Sequence, residues 1–290
     1  MCDEHTQADN ERLFASGALT RRGFSAGAGA AGLMAILPSP ANAVAVKGRN
    51  VEIATADGSA DAYFVAPAKG KHPAVLIWPD IMGLRPAFRK MADRLAESGY
   101  AVLVVNQFYR DKKGEIMAAG ESFGQQPVRD RLMGWRAKLT QAATIGDAKA
   151  FTGWLDKQKQ VDTRRGMATT GYCMGGPMTM LTAANFPARI KAAASFHGGG
   201  LATDKPDSPH LLIPKMKASY LVAVAENDDA KNPQEKARLY EAFQAAKLPA
   251  EIEVYKGTQH GWCPPDSEVY NEAQAEKAWE RQLALFKKAL

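Results

Sequence analysis

Two short runs, Ala74-Val75-Leu76-Ile77-Trp78 and Ala101-Val102-Leu103-Val104-Val105, carry no polar side chain. A strand projects successive side chains to opposite faces, so a run that is apolar throughout belongs in a sheet covered on both sides, the habit of parallel sheets. Between the two runs lies a helical stretch from Pro86 to Ser98, closed by Gly99. The alternation continues with a long helical region ending near Gln158, a strand at Met167 to Thr170, a helix after Gly175 and a strand at Ala192 to Ser195. Tyr220 to Ala225, a helix from Pro233 to Ala246, Ile252 to Tyr255 and a closing helix from Asn271 to Lys288 complete the pattern. Ahead of it, Val51 to Ile53 and Ala62 to Val65 flank the turn residues Asp57-Gly58-Ser59 and read as an antiparallel hairpin. The chain is therefore expected to be α/β, with a mostly parallel central sheet, an N-terminal antiparallel hairpin and helices on both faces. One segment breaks the rhythm: Asp111 to Arg129 is polar and glycine-bearing, and two readings stay open for it, a lid over a site or a solvated insertion.

With 290 residues, 46% of them hydrophobic, the chain can bury a large core without a disulfide framework or a structural metal. Its net charge of +6 is scattered, with no basic stripe and no nucleic-acid-reading motif, which argues against nucleic acid as partner and leaves a weak bias toward anionic substrates.

The N-terminus reads as an address. Arg21-Arg22 in Thr20-Arg21-Arg22-Gly23-Phe24-Ser25 is followed by a weakly apolar stretch, Ala26 to Leu37, and by Ala41-Asn42-Ala43, the order of a twin-arginine export signal with cleavage after Ala43. Residues 1–43 are expected to be this signal and 44–290 a single domain, placed in the periplasm or secreted by the twin-arginine machinery. The apolar stretch is broken by glycines and Pro38 and is too short for stable membrane insertion. Of the three cysteines, Cys2 would leave with the signal, so Cys173 and Cys263 remain. Two thiols make no framework, and at least one needs a chemical explanation.

Gly171-Tyr172-Cys173-Met174-Gly175-Gly176 sits between a buried strand and a helix, which is the nucleophile-elbow arrangement G-x-S-x-G with cysteine in the serine position. A nucleophile on so tight a turn has a strained backbone, and small neighbours relieve the crowding. The helix that follows points its positive end at the sulfur and offers Met174 N–H to a developing oxyanion. His260 follows the last strand and is the candidate base; Asp228, in Glu226-Asn227-Asp228-Asp229, is preferred as its acid, with Asp229 and Glu226 left open. The order Cys, acid, His is that of α/β-hydrolases. His197 also ends a strand, and of its two readings, a ligand-facing group or a histidine bonded to local backbone, the second is favoured. At the end of the first apolar run, Ile81 N–H is the natural second oxyanion donor, and the Asp80 carboxylate is aimed at the same crevice, either holding the thiol proton or capping the helix near Pro86. Arg110, at the end of the second run, reads as a clamp for a substrate carboxylate or as a surface arginine.

These residues resemble the dienelactone hydrolase, or carboxymethylenebutenolidase, family over nearly the whole chain from about Val51 onward. The resemblance implies the α/β-hydrolase fold and a triad of Cys173, Asp228 and His260. It places Asp80 where family members carry a thiol-modulating glutamate, and it matches Arg110 to the family's carboxylate-binding arginine. The second such arginine has no counterpart in Gly261-Trp262-Cys263-Pro264-Pro265 after the histidine. The function implied is hydrolysis of a small ester or lactone through a thioester acyl-enzyme, with no cofactor and no metal. Two readings of other classes stand beside it: a thiol-based redox or peroxide sensor in which Cys263 resolves Cys173, and a non-catalytic binding protein on a hydrolase fold.

Overall fold

The computed structural model describes residues 37–40 and 42–290, so the export signal expected over residues 1–43 falls almost entirely outside the described residues. Eight strands form one sheet in the order β1-β2-β4-β3-β5-β6-β7-β8. The hairpin strands β1 (Val46–Thr55) and β2 (Gly58–Pro67) are antiparallel to each other, and β2 is antiparallel to β4 (Ala101–Val105). From β4 onward every pairing is parallel, through β3 (Ala74–Trp78), β5 (Met167–Tyr172), β6 (Ile190–Phe196), β7 (Ser219–Ala225) and β8 (Ala250–Tyr255).

The two apolar runs are the strands β3 and β4, buried at every position. Their alternate side chains feed two separate cores. Leu76, Trp78, Leu103 and Val105 join the core that holds Phe151 of α3 (Gln141–Leu155), Met178 of α4 (Gly175–Asn185) and Phe243 of α6 (Pro233–Ala245). Val75, Ile77, Val102 and Val104 join the core that holds Phe88 of α1 (Pro86–Glu97) and Phe286 of α7 (Glu272–Ala289). Helices thus cover both faces, as the wholly apolar strands demand.

Elsewhere the elements depart from the sequence reading. The hairpin strands extend well beyond their apolar stretches, because an edge pair half exposed to water needs few apolar side chains. The long helical region is two helices, α2 (Gln126–Ala137) and α3, separated where Thr140 caps α3 by accepting a hydrogen bond from Ala143 N–H at 3.2 Å. The acidic segment Glu226–Lys231 is a short helix, α5, and Pro209–Lys215 forms a 3-10 turn that its two prolines concealed. Among the described residues no helix is long and apolar enough to cross a membrane.

The chain leaves β3 toward β4 on one side and later leaves β5 toward β6 on the other. This reversal between β3 and β5 opens a crevice at the carboxyl ends of the strands, where open α/β sheets bind ligands.

Candidate active site

Cys173 follows β5 directly and sits in the left-handed region, at φ 54°. Such a conformation costs a non-glycine residue of order 1–3 kcal/mol and persists only where its surroundings enforce it. Here they do so by close backbone packing. A Cβ on Gly175 would lie 2.2 Å from Trp78 O, and one on Gly171 would lie 2.1 Å from Gly175 O. Only hydrogen atoms fit at these two positions, so α4 starts hard against the end of β3. Cys173 N–H donates to Phe196 O and Gly176 N–H to Cys173 O, both at 3.0 Å, which pins the turn from both sides. Met174 then caps α4.

His260 and Asp228 come together across the ends of β7 and β8. Asp228 Oδ2 lies 2.7 Å from His260 Nδ1. Burial pushes the Asp228 carboxyl up, but the imidazole beside it outweighs this and leaves it below the usual aspartate value. Of the three acidic candidates, only Asp228 reaches the histidine. Glu226 accepts from Gly257 N–H at 3.0 Å, and Asp229 meets Lys236 at 3.1 Å. Asn227 Oδ1 accepts from His260 N–H at 2.9 Å, so consecutive side chains of one helical turn hold both the backbone and the ring of His260.

Cys173, His260, His197, Ile81 and Asp80 line one cavity of about 270 Å3. Ile81 lies in the turn after β3, and neither its N–H nor that of Met174 donates to an acceptor among the described residues. His197, at φ 40°, is 1% exposed, and its ring centroid stands 5.1 Å from that of His260. Among the described residues neither ring nitrogen of His197 meets a hydrogen-bond partner within bonding geometry, which counts against the favoured reading of a histidine bonded to local backbone. Desolvation, and then the charge of His260, hold its imidazole well below the usual histidine value and keep it neutral.

Asp80 lines the cavity but its oxygens are occupied. Oδ1 accepts from Met82 N–H at 2.9 Å and from Arg85 Nη1 at 2.7 Å, and Oδ2 accepts from Arg85 Nη2 at 3.0 Å. The carboxylate is thus paired with the buried Arg85 guanidinium at the start of α1, and its reading as a cap for that helix is corrected, since the helix has no side-chain cap. Arg110 is corrected too. It lies outside the cavity lining, held by the buried Asp147 of α3 at 2.7 Å and by Asp57 of the hairpin turn at 2.6 Å. Tyr109 donates to the same Asp147 at 2.8 Å, which explains why the strand-end arginine turns toward α3.

The family model described as the dienelactone hydrolase family matches residues 60–290. The chain belongs to the dienelactone hydrolase family. A Salmonella typhi protein with the provisional name carboxymethylenebutenolidase is 28% identical over 231 residues, spanning 78% of this chain and 81% of that protein. A carboxymethylenebutenolidase from Rhodococcus opacus is 25% identical over 224 residues, 76% of this chain and 83% of its own. Among solved structures, a provisionally named dienelactone hydrolase from Klebsiella pneumoniae is similar at 25% identity with a TM-score of 0.72, covering 84% of this chain and 99% of that one. As a member of this family the chain is a hydrolase of the class that acts on ester or lactone bonds.

Within this dienelactone hydrolase family member, several cavity residues had no signal in the sequence. Glu121 and Phe123 reach the cavity from the irregular segment after β4, which gives that segment the place of a lid. Asp266, at the rim, shares Arg85 with Asp80 at 2.6 Å. The one available hint was that an Asp80 buried in the crevice needs a counter-charge nearby. Cys263 lies elsewhere, beside Tyr172, Phe196 and Trp279, with burial pushing its thiol well above the usual cysteine value. So protonated a thiol is poorly suited to resolve an oxidised Cys173.

Proposed function

We propose that the chain hydrolyses a small ester or lactone with Cys173 as nucleophile, His260 as general base and acid, and Asp228 as the residue that orients it. The observation that carries this reading is the 2.7 Å contact between Asp228 and His260, both fixed by α5, at the cavity into which the strained Cys173 turn opens. Asp228 holds the Nδ1 proton in place, so Nε2 is the nitrogen that works on the thiol. The Cys173 thiol passes its proton to His260 Nε2, the thiolate attacks the carbonyl carbon, and the oxygen that gains the electron pair is met by the amides of Ile81 and Met174. Collapse breaks the carbon–oxygen bond, and His260 gives its proton to the departing alkoxide. Water then yields a proton to His260 and its oxygen attacks the thioester, which releases the carboxylic acid and returns the thiolate. No step calls for a cofactor. We also propose that the enzyme works outside the cytoplasm, on the strength of Arg21-Arg22 and Ala41-Asn42-Ala43.

Cys173→Ala removes one sulfur atom and is expected to abolish turnover of 4-nitrophenyl acetate with the fold intact by circular dichroism. His260→Ala is expected to cost several orders of magnitude, and the two losses are not additive, since a triad acts as a unit. Iodoacetamide near pH 6 is expected to label Cys173 in proportion to lost activity, because a helix N-terminus and a histidine keep thiolate present below the ordinary pKa of about 8.5. Turnover by Cys173→Ala at close to the parent rate refutes the mechanism.

A further inference from the structure

The chain as a whole carries a net charge of +6, yet the charges at the cavity run the other way. Asp80, Glu121, Asp266 and Glu268 line it, and among the described residues no lysine or arginine does. The arginines nearest to these carboxylates are already committed. Arg85 donates all five of its N–H groups: to Asp80 at 2.7 and 3.0 Å, to Asp266 at 2.6 and 3.0 Å, and to Gly83 O at 3.4 Å. One guanidinium shared by two carboxylates leaves one negative charge over. Arg131 grips Glu121 with two prongs, at 2.8 and 2.6 Å, which makes that pair neutral. Lys112 is close enough to lower the Glu121 pKa but lies outside the lining. Glu268, exposed at the rim, is in no ion pair among the described residues. His197 adds no positive charge, because its buried ring is neutral.

We infer that the cavity selects esters that carry no carboxylate, accepting uncharged or cationic acyl groups and rejecting anionic ones. The inference rests on the ester-hydrolase reading above and adds the charge of the substrate to it. Two physical terms act together. The field of the uncompensated carboxylates opposes an approaching anion and favours a cation, and it is focused by the low-dielectric walls of Ile81, Met82, Phe123 and Val269. An anion that does enter finds, among the described residues, no unspent guanidinium to replace its lost hydration. Arg110, the residue matched to a carboxylate clamp, cannot supply one while Asp147 and Asp57 hold it outside the lining. His197 offers only a neutral ring with two unpaired nitrogens, suited to a hydrogen bond with an uncharged polar group.

The test uses three 4-nitrophenyl esters with acyl chains of matched length ending in methyl, carboxylate or trimethylammonium, and compares kcat/KM at low and high sodium chloride. The uncharged ester is expected to exceed the carboxylate ester by about tenfold or more at low salt, the effect of one like-charge repulsion at close range. The cationic ester is expected to equal or exceed the uncharged one, and added salt to narrow both gaps. Glu268→Lys, at an exposed position, is expected to shift the anion-to-cation ratio of kcat/KM toward the anion by several fold. A carboxylate ester turned over as well as the uncharged one at low salt overturns the charge selection and leaves the hydrolase reading standing. Failure of all three esters, with Cys173 still readily alkylated, overturns the ester-hydrolase reading and the selection with it.

Discussion

His197 is expected to make the protein acid-labile in a window that one substitution closes. Its imidazole is 1% exposed, has no hydrogen-bond partner for either nitrogen among the described residues, and faces His260 at 5.1 Å between ring centroids. Burial, then the neighbouring His260, hold it well below its ordinary value of 6.5, with Asp228 acting weakly in the opposite sense. Below 6.5 the unfolded chain therefore binds a proton that the folded chain does not, and stability falls as the pH falls. A difference of one proton corresponds to about 1.4 kcal/mol per pH unit, which accumulates to roughly 2 kcal/mol at about pH 5. For a domain of this size that is about 4–8 °C in Tm. The Asp228 carboxyl, also lowered, gives up its own contribution only as the pH falls below its ordinary value of 3.8, outside the window. His210, whose pKa is lowered by burial, is present in both proteins and cancels in the comparison. His197→Asn suits the test because asparagine tolerates the φ of 40° and does not titrate. Thermal melts from pH 7.5 to about pH 5 are expected to show the parent losing about 4–8 °C more than the variant. Parallel curves would refute the reasoning, because they would mean that the folded protein takes up the His197 proton without penalty.

The elbow glycines give a steric test: Gly175→Ala is expected to lose at least about 1–3 kcal/mol in urea unfolding, together with most activity, since its Cβ would sit 2.2 Å from Trp78 O. Gly134→Ala, on an exposed turn of α2 where an added Cβ meets nothing within 4 Å, is expected to raise stability by up to about 1 kcal/mol. Replacing Arg21 and Arg22 by lysine is expected to retain the full-length chain in the cytoplasm, while the parent is recovered outside it beginning near Val44; an unchanged distribution by N-terminal sequencing of the two fractions refutes the export proposal.

How much of this was legible in the sequence depended on how local the determining physics is. Strands β3 and β4 could be read to the residue because burial on both faces leaves room for nothing polar at any position. The elbow could be read because its glycines answer contacts made within a few residues of Cys173 and at the end of one neighbouring strand. The hairpin strands could be located but not bounded, since β1 is a largely exposed edge strand and the turn ends of both strands carry few apolar side chains. Which of three acidic residues meets His260 depended on the short helix α5, whose turn sends Asn227 to the backbone of His260 and Asp228 to its ring; no periodicity shows in so short a segment. The charge of the cavity was hidden most deeply. Arg85 and Asp266 are 181 residues apart in the chain, and Arg110 and Asp147 are 37 apart, so each guanidinium was visible as a cation while the carboxylate that neutralises it was not. A count of charges along the sequence suggested a mild preference for anions. The folded arrangement spends the two relevant arginines within the protein and leaves carboxylates at the opening, so the sign of the field at Cys173 is set by long-range pairing rather than by composition.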